Sequence, residues 1–357
     1  MDPASHRVAH RGLLIGICLV QVALFDLAAA EPSRSVPAST SPAATETRTP
    51  VRLVFVGDIM LDTLPGEVIA EGRDPFAAFA DVLADADLAI GNLECVIATV
   101  GEKVSKPYNF RAHPRCLPFV GKHFDALSLA NNHTGDFGPE ALVECLTLLK
   151  QRGMPAFGAG RNLVEAHQPW IVECRGVRLA LLGYNEFKPR EFQAGNDRAG
   201  VAWSEDERVL DDIRVARDVH HADVIIPFMH WGWEEEGDPN DRQRQFARMM
   251  VEAGASMVIG GHPHVTQGAE YHRGRLIVYS LGNFVFDGFD TPETNTGWAL
   301  RLRLDKDGVI GWDTVVARID REGLPSPAWD AMSPGDPDGI GTIDMRRAQP
   351  PENVSRR

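Results

Sequence analysis

Through the first two-thirds of the chain, short apolar runs that end in glycine or a polar cluster alternate with stretches of helical spacing. "VRLVFVG" (51–57) is a β-branched run closed by glycine and predicts a buried strand. Residues 75–86 carry helical spacing, and strands are expected over 87–92 and 125–132. Pro139 near a first turn and Gly153 as a stop predict a helix over 138–153. Residues 168–184 read as a hairpin turning at Arg175-Gly176. A helix over 205–221, a strand over 222–230, a helix over 241–254 and a strand over 255–261 follow. The pattern then becomes purely β, with a strand over 275–286 and a hairpin over 297–319 turning at Lys306-Asp307-Gly308. Alternation followed by an antiparallel ending predicts an α/β fold with mixed sheets and helices outside. There is no internal repeat.

The two ends depart from this pattern. Arg7, His10 and Arg11 precede "GLLIGICLVQVALF", and Ala28-x-Ala30 follows, which is the layout of a secretory signal peptide over residues 1–30. The run is short for a membrane span, though a retained anchor is the alternative reading. Export, to a periplasmic or extracellular location, is the expectation. Residues 31–50, rich in Pro, Ser, Thr and Ala, read as a flexible linker, and 333–357 as a disordered tail. The folded body is expected over 51–332.

Composition narrows the partners. The 357-residue chain carries a net charge of −14, and loss of residues 1–30 removes two basic and two acidic residues, leaving that balance unchanged. No dense basic block exists, so nucleic acid is not an expected partner. Four cysteines, Cys95, Cys116, Cys145 and Cys174, remain beyond residue 30. Two disulfides or buried thiols both fit, and no pair has zinc-finger spacing.

Polar residues cluster where strands are expected to end, the place where open α/β sheets bind ligands. Asp58 follows the first strand; Asn92 and Glu94 alternate after the second; Asn131, Asn132 and His133 follow the third. His230 ends an apolar strand, with Trp231 and Trp233 placed to wall a pocket and Glu234 at its opening. In "IGGHPHVTQG" (259–268), Pro263 biases His262 toward an extended conformation, which would project His262 and His264 to one side. Asn283 follows the next strand, with Asp287 four residues on. Carboxylate, imidazole and amide oxygen together suit one or two divalent transition metals, Mn, Fe or Zn. A carboxylate able to bridge, Glu94, points to two ions, which would activate water and stabilise charge on a phosphoryl or acyl oxygen.

This ordered series resembles the calcineurin-like metallophosphoesterases and, within them, the CapA family of poly-γ-glutamate capsule proteins. The motifs are Gly57-Asp58-Ile59-Met60, Gly91-Asn92-Leu93-Glu94, Ala130-Asn131-Asn132-His133, His230-Trp231-Gly232-Trp233-Glu234, Gly261-His262-Pro263-His264 and Ser280-Leu281-Gly282-Asn283-Phe284. The resemblance spans about residues 51 to 290. It implies a four-layer α-β-β-α sandwich and a metal-dependent hydrolytic site. In that site Asp58, Glu94, an asparagine (131 or 132), His230, His262 and His264 would be ligands. His133 would be a catalytic acid or stabiliser. It further implies an anionic substrate such as poly-γ-glutamate, and membrane-embedded capsule synthesis proteins as partners. A small-substrate phosphoesterase and a non-catalytic polymer-binding scaffold are the competing functions. Two departures stand out. Met60 occupies a position where the wider superfamily has histidine, and Leu61-Asp62-Thr63 supplies no arginine where many CapA-like sequences have one.

Overall fold

In the first strand, Val51–Ile59, Val51, Leu53 and Phe55 face one way while Val54 and Val56 face the other, and both sides are buried. The same two-sided burial recurs in Val224–His230, where Val224, Ile226 and Phe228 oppose Ile225 and Met229. Strands covered on both faces need a layer on each side, and the computed structural model, which describes residues 49–328, supplies them. The expected leader, all but the last two residues of the spacer, and the tail lie outside the described residues.

One sheet runs in the order Pro325–Pro327, Gly308–Ile319, Thr296–Asp305, Val51–Ile59, Leu88–Leu93, Ala126–Ser128, Ala156–Phe157, with Asn283–Val285 also paired to Val51–Ile59. The other runs Thr266–His272, Arg275–Leu281, Met257–Gly261, Val224–His230, Val177–Asn185, Trp170–Cys174. The first joins a parallel half to an antiparallel half, and the second has a parallel centre with an antiparallel strand at each edge. The two sheets share an apolar interior that includes Leu53, Phe55, Ile90, Leu181, Ile226, Phe228 and Ile259. Phe55 and Phe228 meet edge-on across it at 5.9 Å. Helices Leu117–His123 and Gly138–Gln151 cover the outer face of the first sheet, and Asp206–Asp218 and Asp241–Ala253 that of the second. The result is the four-layer α-β-β-α sandwich.

The expected elements differ from the observed ones mainly at their ends. The helix expected over 75–86 is a 3₁₀ turn, Ala77–Phe79, and a short helix, Ala80–Ala84. Helices Thr63–Ala70 and Leu117–His123 and the strand Thr266–His272 were not anticipated. The hairpin turn at Arg175-Gly176 is present, with both residues at positive φ. The expected strand 275–286 breaks at Gly282, whose φ of 68° lets the chain leave one sheet as Arg275–Leu281 and enter the other as Asn283–Val285. That crossing ties the two sheets together at their polar edge. The four cysteines are free, and burial pushes the Cys116 and Cys145 thiols up to about 12. Among the described residues no helix is long and apolar enough to cross a membrane.

Because Phe55 fills the interior between the sheets, Phe55→Ala is expected to cost about 3 to 5 kcal/mol in urea unfolding, as truncation of a buried aromatic does. A cost below about 1 kcal/mol would contradict the two-sheet interior.

Candidate metal centre

The parallel strands of both sheets end at the same edge, and the polar residues collect there. A bulge places the first of them. From Phe55 to Asp58 is three steps while the paired Ile90 to Asn92 is two, so Asp58 rather than Gly57 lies opposite Asn92. Asp58 accepts from Asn92 Nδ2 at 2.8 Å and from the His262 backbone N–H at 3.2 Å. Its close approach to the opposite sheet needs glycine: a Cβ on Gly261 would sit 3.0 Å from Asp58 Oδ1.

Glu94 lies at the centre of the cluster. Its Oε1 is 3.4 Å from His230 Nε2, 3.9 Å from His264 Nε2 and 4.0 Å from His133 Nε2. Three imidazole nitrogens thus converge on one carboxylate oxygen, yet neither Glu94 oxygen accepts a hydrogen bond. Both ring nitrogens of His262 are equally buried and unpartnered. A fold that leaves four buried polar atoms unsatisfied in one place carries a large desolvation cost unless a ligand fills it.

His262 and His264 do converge, with ring centroids 5.8 Å apart, but not by the extended geometry expected. The strand stops at Gly261, and His262 and His264 take φ of 97° and 58°. Left-handed backbone at non-glycine residues costs on the order of 1–3 kcal/mol each and persists only where the surroundings enforce it. Here the His262 N–H held by Asp58 and the His264 ring held by Asn283 enforce it. The contact from His264 Nδ1 to Asn283 Oδ1, 2.8 Å, requires Nδ1 to carry the proton, which leaves the Nε2 lone pair facing Glu94.

The two asparagines separate cleanly. Asn131 donates to Asn92 Oδ1 and the Leu93 carbonyl, and its Oδ1 accepts from His133 N and Thr134 Oγ1, so its amide is consumed in holding the loop. Asn132 instead presents Oδ1 2.7 Å from His230 Nε2, inside the cluster. His133 is held by Asp136, whose Oδ2 lies 2.7 Å from Nδ1, while Asp136 Oδ1 accepts from Lys106 Nζ at 2.6 Å. Asp136 and Lys106 were missed in the sequence, although "NNHTGD" carries the acid three residues after the histidine.

The expected tryptophan walls are corrected. Trp231 does not wall a pocket: it follows His230, so strand alternation sends it to the opposite face. There it is buried under the outer helices with its Nε1 donating to the Tyr279 carbonyl. Trp233, more than half exposed, packs against Phe187, and Glu234 lines the cleft beside the cluster. Met60 lies in the outer core with its sulfur accepting from the Asp62 N–H, so that position offers the cluster no donor.

Electrostatics sharpen the demand for a cation. Burial, then the neighbouring Glu94, pushes Asp58 up to about 8, and burial raises Glu94 well above the carboxylate range. Burial lowers His230 to about 4 and His264 to about 3, and holds His262 well below its ordinary value. The imidazoles therefore stay neutral and cannot support ionised acids, so Asp58 and Glu94 hold their protons in the metal-free protein. A divalent cation can support them ionised. Asp58, Glu94 and His230 form one group of donors within 4.8 Å of one another, and Glu94, His262 and His264 form a second, with Glu94 common to both. These residues fit a divalent metal.

Such a donor cluster, spanning the edges of both sheets of an α-β-β-α sandwich, has the make-up of a divalent-metal centre. Residues 52–288 match the family described as "Bacterial capsule synthesis protein PGA_cap", and the chain belongs to that family. It is 31% identical over 279 residues to the PGA biosynthesis protein CapA of Bacillus subtilis (strain 168), covering 76% of this chain and 72% of that protein. It is 30% identical over 289 residues to the capsule biosynthesis protein CapA of Bacillus anthracis, covering 78% and 70%. The NAD nucleotidase of Haemophilus influenzae superposes with a TM-score of 0.46 at 10% identity, over 78% of this chain and 59% of that one.

The metal-free protein should show the site in its pH response. Folded Asp58 keeps its proton to about pH 8, whereas the unfolded chain releases it near 3.8. The folded state then holds more protons, so this contribution is full below pH 3.8 and is lost as pH rises through 8. The histidines, depressed from 6.5, are neutral in both states above that value and add nothing there. Thermal melting of chelator-treated protein is therefore expected to fall from pH 6.5 to 8, and saturation with a divalent cation to abolish the fall. A flat or rising melting temperature in the metal-free protein would contradict the arrangement.

Proposed function

We propose that this chain is an exported protein of poly-γ-glutamate-type capsule synthesis, release or export, acting through a divalent-metal hydrolytic centre. The observation that carries the reading is the Glu94 cluster, in which three Nε2 atoms face one unpartnered, buried carboxylate oxygen. Asp58, Glu94, Asn132, His230, His262 and His264 would hold the metal, with Glu94 shared between two ions of Mn, Fe or Zn. When bound, the metal supplies a Lewis acid and a water of lowered pKa. Asn92 and Asn283 orient their partners, Asn92 through Asp58 and Asn283 through His264. Asn131 sets the loop that carries His133. With Nδ1–H given to Asp136, His133 turns Nε2 toward the centre, where it can accept or return a proton at the scissile group.

The membership in a capsule synthesis family and the basic, apolar, small-residue order of residues 1–30 support action outside the cytoplasm beside membrane-embedded capsule proteins. A mature chain starting at or near Glu31 is expected from N-terminal sequencing of exported protein, and an intact Met1 would favour the retained anchor.

Replacing His262 and His264 together by alanine should remove bound Mn, Fe or Zn by elemental analysis while far-UV dichroism is unchanged. Polymer cleavage should be lost with the metal. His133→Ala should keep the metal and lose about 10²-fold or more in rate, the scale of one general acid or base. His220→Ala, outside the cluster, should alter neither. Full metal content in the double variant would overturn the ligand assignment. Hydrolysis of simple phosphate esters with no action on poly-γ-glutamate would replace the capsule reading with a phosphoesterase one.

A further inference from the structure

Next to the metal centre lies a cavity of about 600 Å³, within the size range of organic ligand sites. Asn132 and His133 form part of its wall, so it opens onto the cluster. Opposite them, segments 104–108 and 187–192 contribute Tyr108, Phe187 and Phe192. Phe187 is a fixed wall. Asn185 holds it through both amide atoms, Oδ1 accepting the Phe187 N–H at 3.1 Å and Nδ2 donating to its carbonyl at 2.9 Å. The Phe187 ring lies 3.9 Å from that of His262, so one side chain bounds both the cavity and the donor cluster.

The charges of this cavity are arranged unequally. Two cations line it, Lys106 and Lys188, and two acids, Glu191 and Glu234. Lys106 is mostly buried, and its ammonium is taken up by Asp136 and by the Asn132 carbonyl at 2.7 Å. Lys188 is exposed, rests 5.5 Å from the centre of the Phe187 ring, and makes no ion pair among the described residues. Glu191 and Glu234 disfavour an anion close to them. An acidic ligand entering this cavity therefore has one free cation to meet.

We propose that Lys188 is the residue of this cavity that selects the charge of the bound chain, favouring one with pendant carboxylates. The inference rests on the hydrolytic reading above and adds the recognition element. Aromatic walls suit the methylene and amide faces of such a chain, and the rim acids can accept from its amide N–H groups. A single exposed ammonium suits one pendant carboxylate at a time. Among the described residues the cavity wall contains no arginine, the residue that grips phosphate through two parallel bonds.

The test uses the full-length, metal-loaded protein and follows Trp233 fluorescence, since Trp233 packs on Phe187. The probes are an oligo-γ-glutamate and its neutral counterpart in which each pendant α-carboxylate is a carboxamide. Wild type should prefer the acidic oligomer, and added salt should erode that preference. K188Q should weaken acidic-oligomer binding about threefold to fivefold, as loss of an exposed ion pair does, and K188E about tenfold or more. Both should bind the neutral oligomer within about twofold of wild type and keep the same metal content. Tyr108→Ala should weaken both oligomers alike, because it removes wall and not charge. K188E binding the acidic oligomer as wild type does would overturn the selection by Lys188, even if the polymer were still cleaved. Wild type that binds and cleaves neither oligomer would instead remove the hydrolytic reading, and this inference with it.

Discussion

Two carboxylates, Asp58 and Glu94, are fully buried side by side among imidazoles that burial keeps neutral, and the rest of the edge is built around that imbalance. A buried acid without a positive partner is costly, and the ordinary remedy is a lysine or arginine in contact. Among the described residues none is placed there; the neighbouring Lys106 is committed to Asp136. The donors left over, both Glu94 oxygens and both His262 nitrogens, point to a cation from solution as the missing partner. The left-handed backbone at His262 and His264 has the same origin: that conformation is held by Asp58 and Asn283, not by sheet pairing.

Holding such a cluster requires both sheets. Asp58, Glu94 and Asn132 come from the first, His230, His262 and His264 from the second, and the shared apolar interior fixes the distance between them. Three local devices refine that geometry. A bulge aims Asp58 at Asn92, the absent side chain of Gly261 admits the Asp58 carboxylate, and the crossing at Gly282 delivers Asn283 to His264. Each is a departure from regular structure at the one edge where function is read, as expected when strain is tolerated only where it serves a site.

Much of this was legible in the sequence, because apolar runs that end in Asp, Asn or His announce strand ends whatever the sheet order. Periodicity located Val51–Ile59, Val224–His230 and Asp241–Ala253 to within two residues. It could not distinguish Asn131 from Asn132, since that choice depends on which amide the Leu93 carbonyl claims from another strand. It misplaced Trp231 because proximity to His230 in sequence says nothing of which face each occupies. Extended geometry for His262 followed from Pro263, a local bias that the long-range bond to Asp58 overrides. Lys106 and Asp136 escaped notice because neither directly follows a strand.

The central claim is that the Glu94 cluster is a cation site. Anomalous diffraction from crystals soaked in Mn²⁺ tests it most directly, because it locates the ion without reference to activity. The account predicts one or two strong peaks in the space bounded by the Glu94 carboxylate, His230 Nε2 and His264 Nε2, with Asp58 and His262 at coordination distance. Well-ordered side chains with water alone in that space, or manganese bound only elsewhere on the protein, would contradict it.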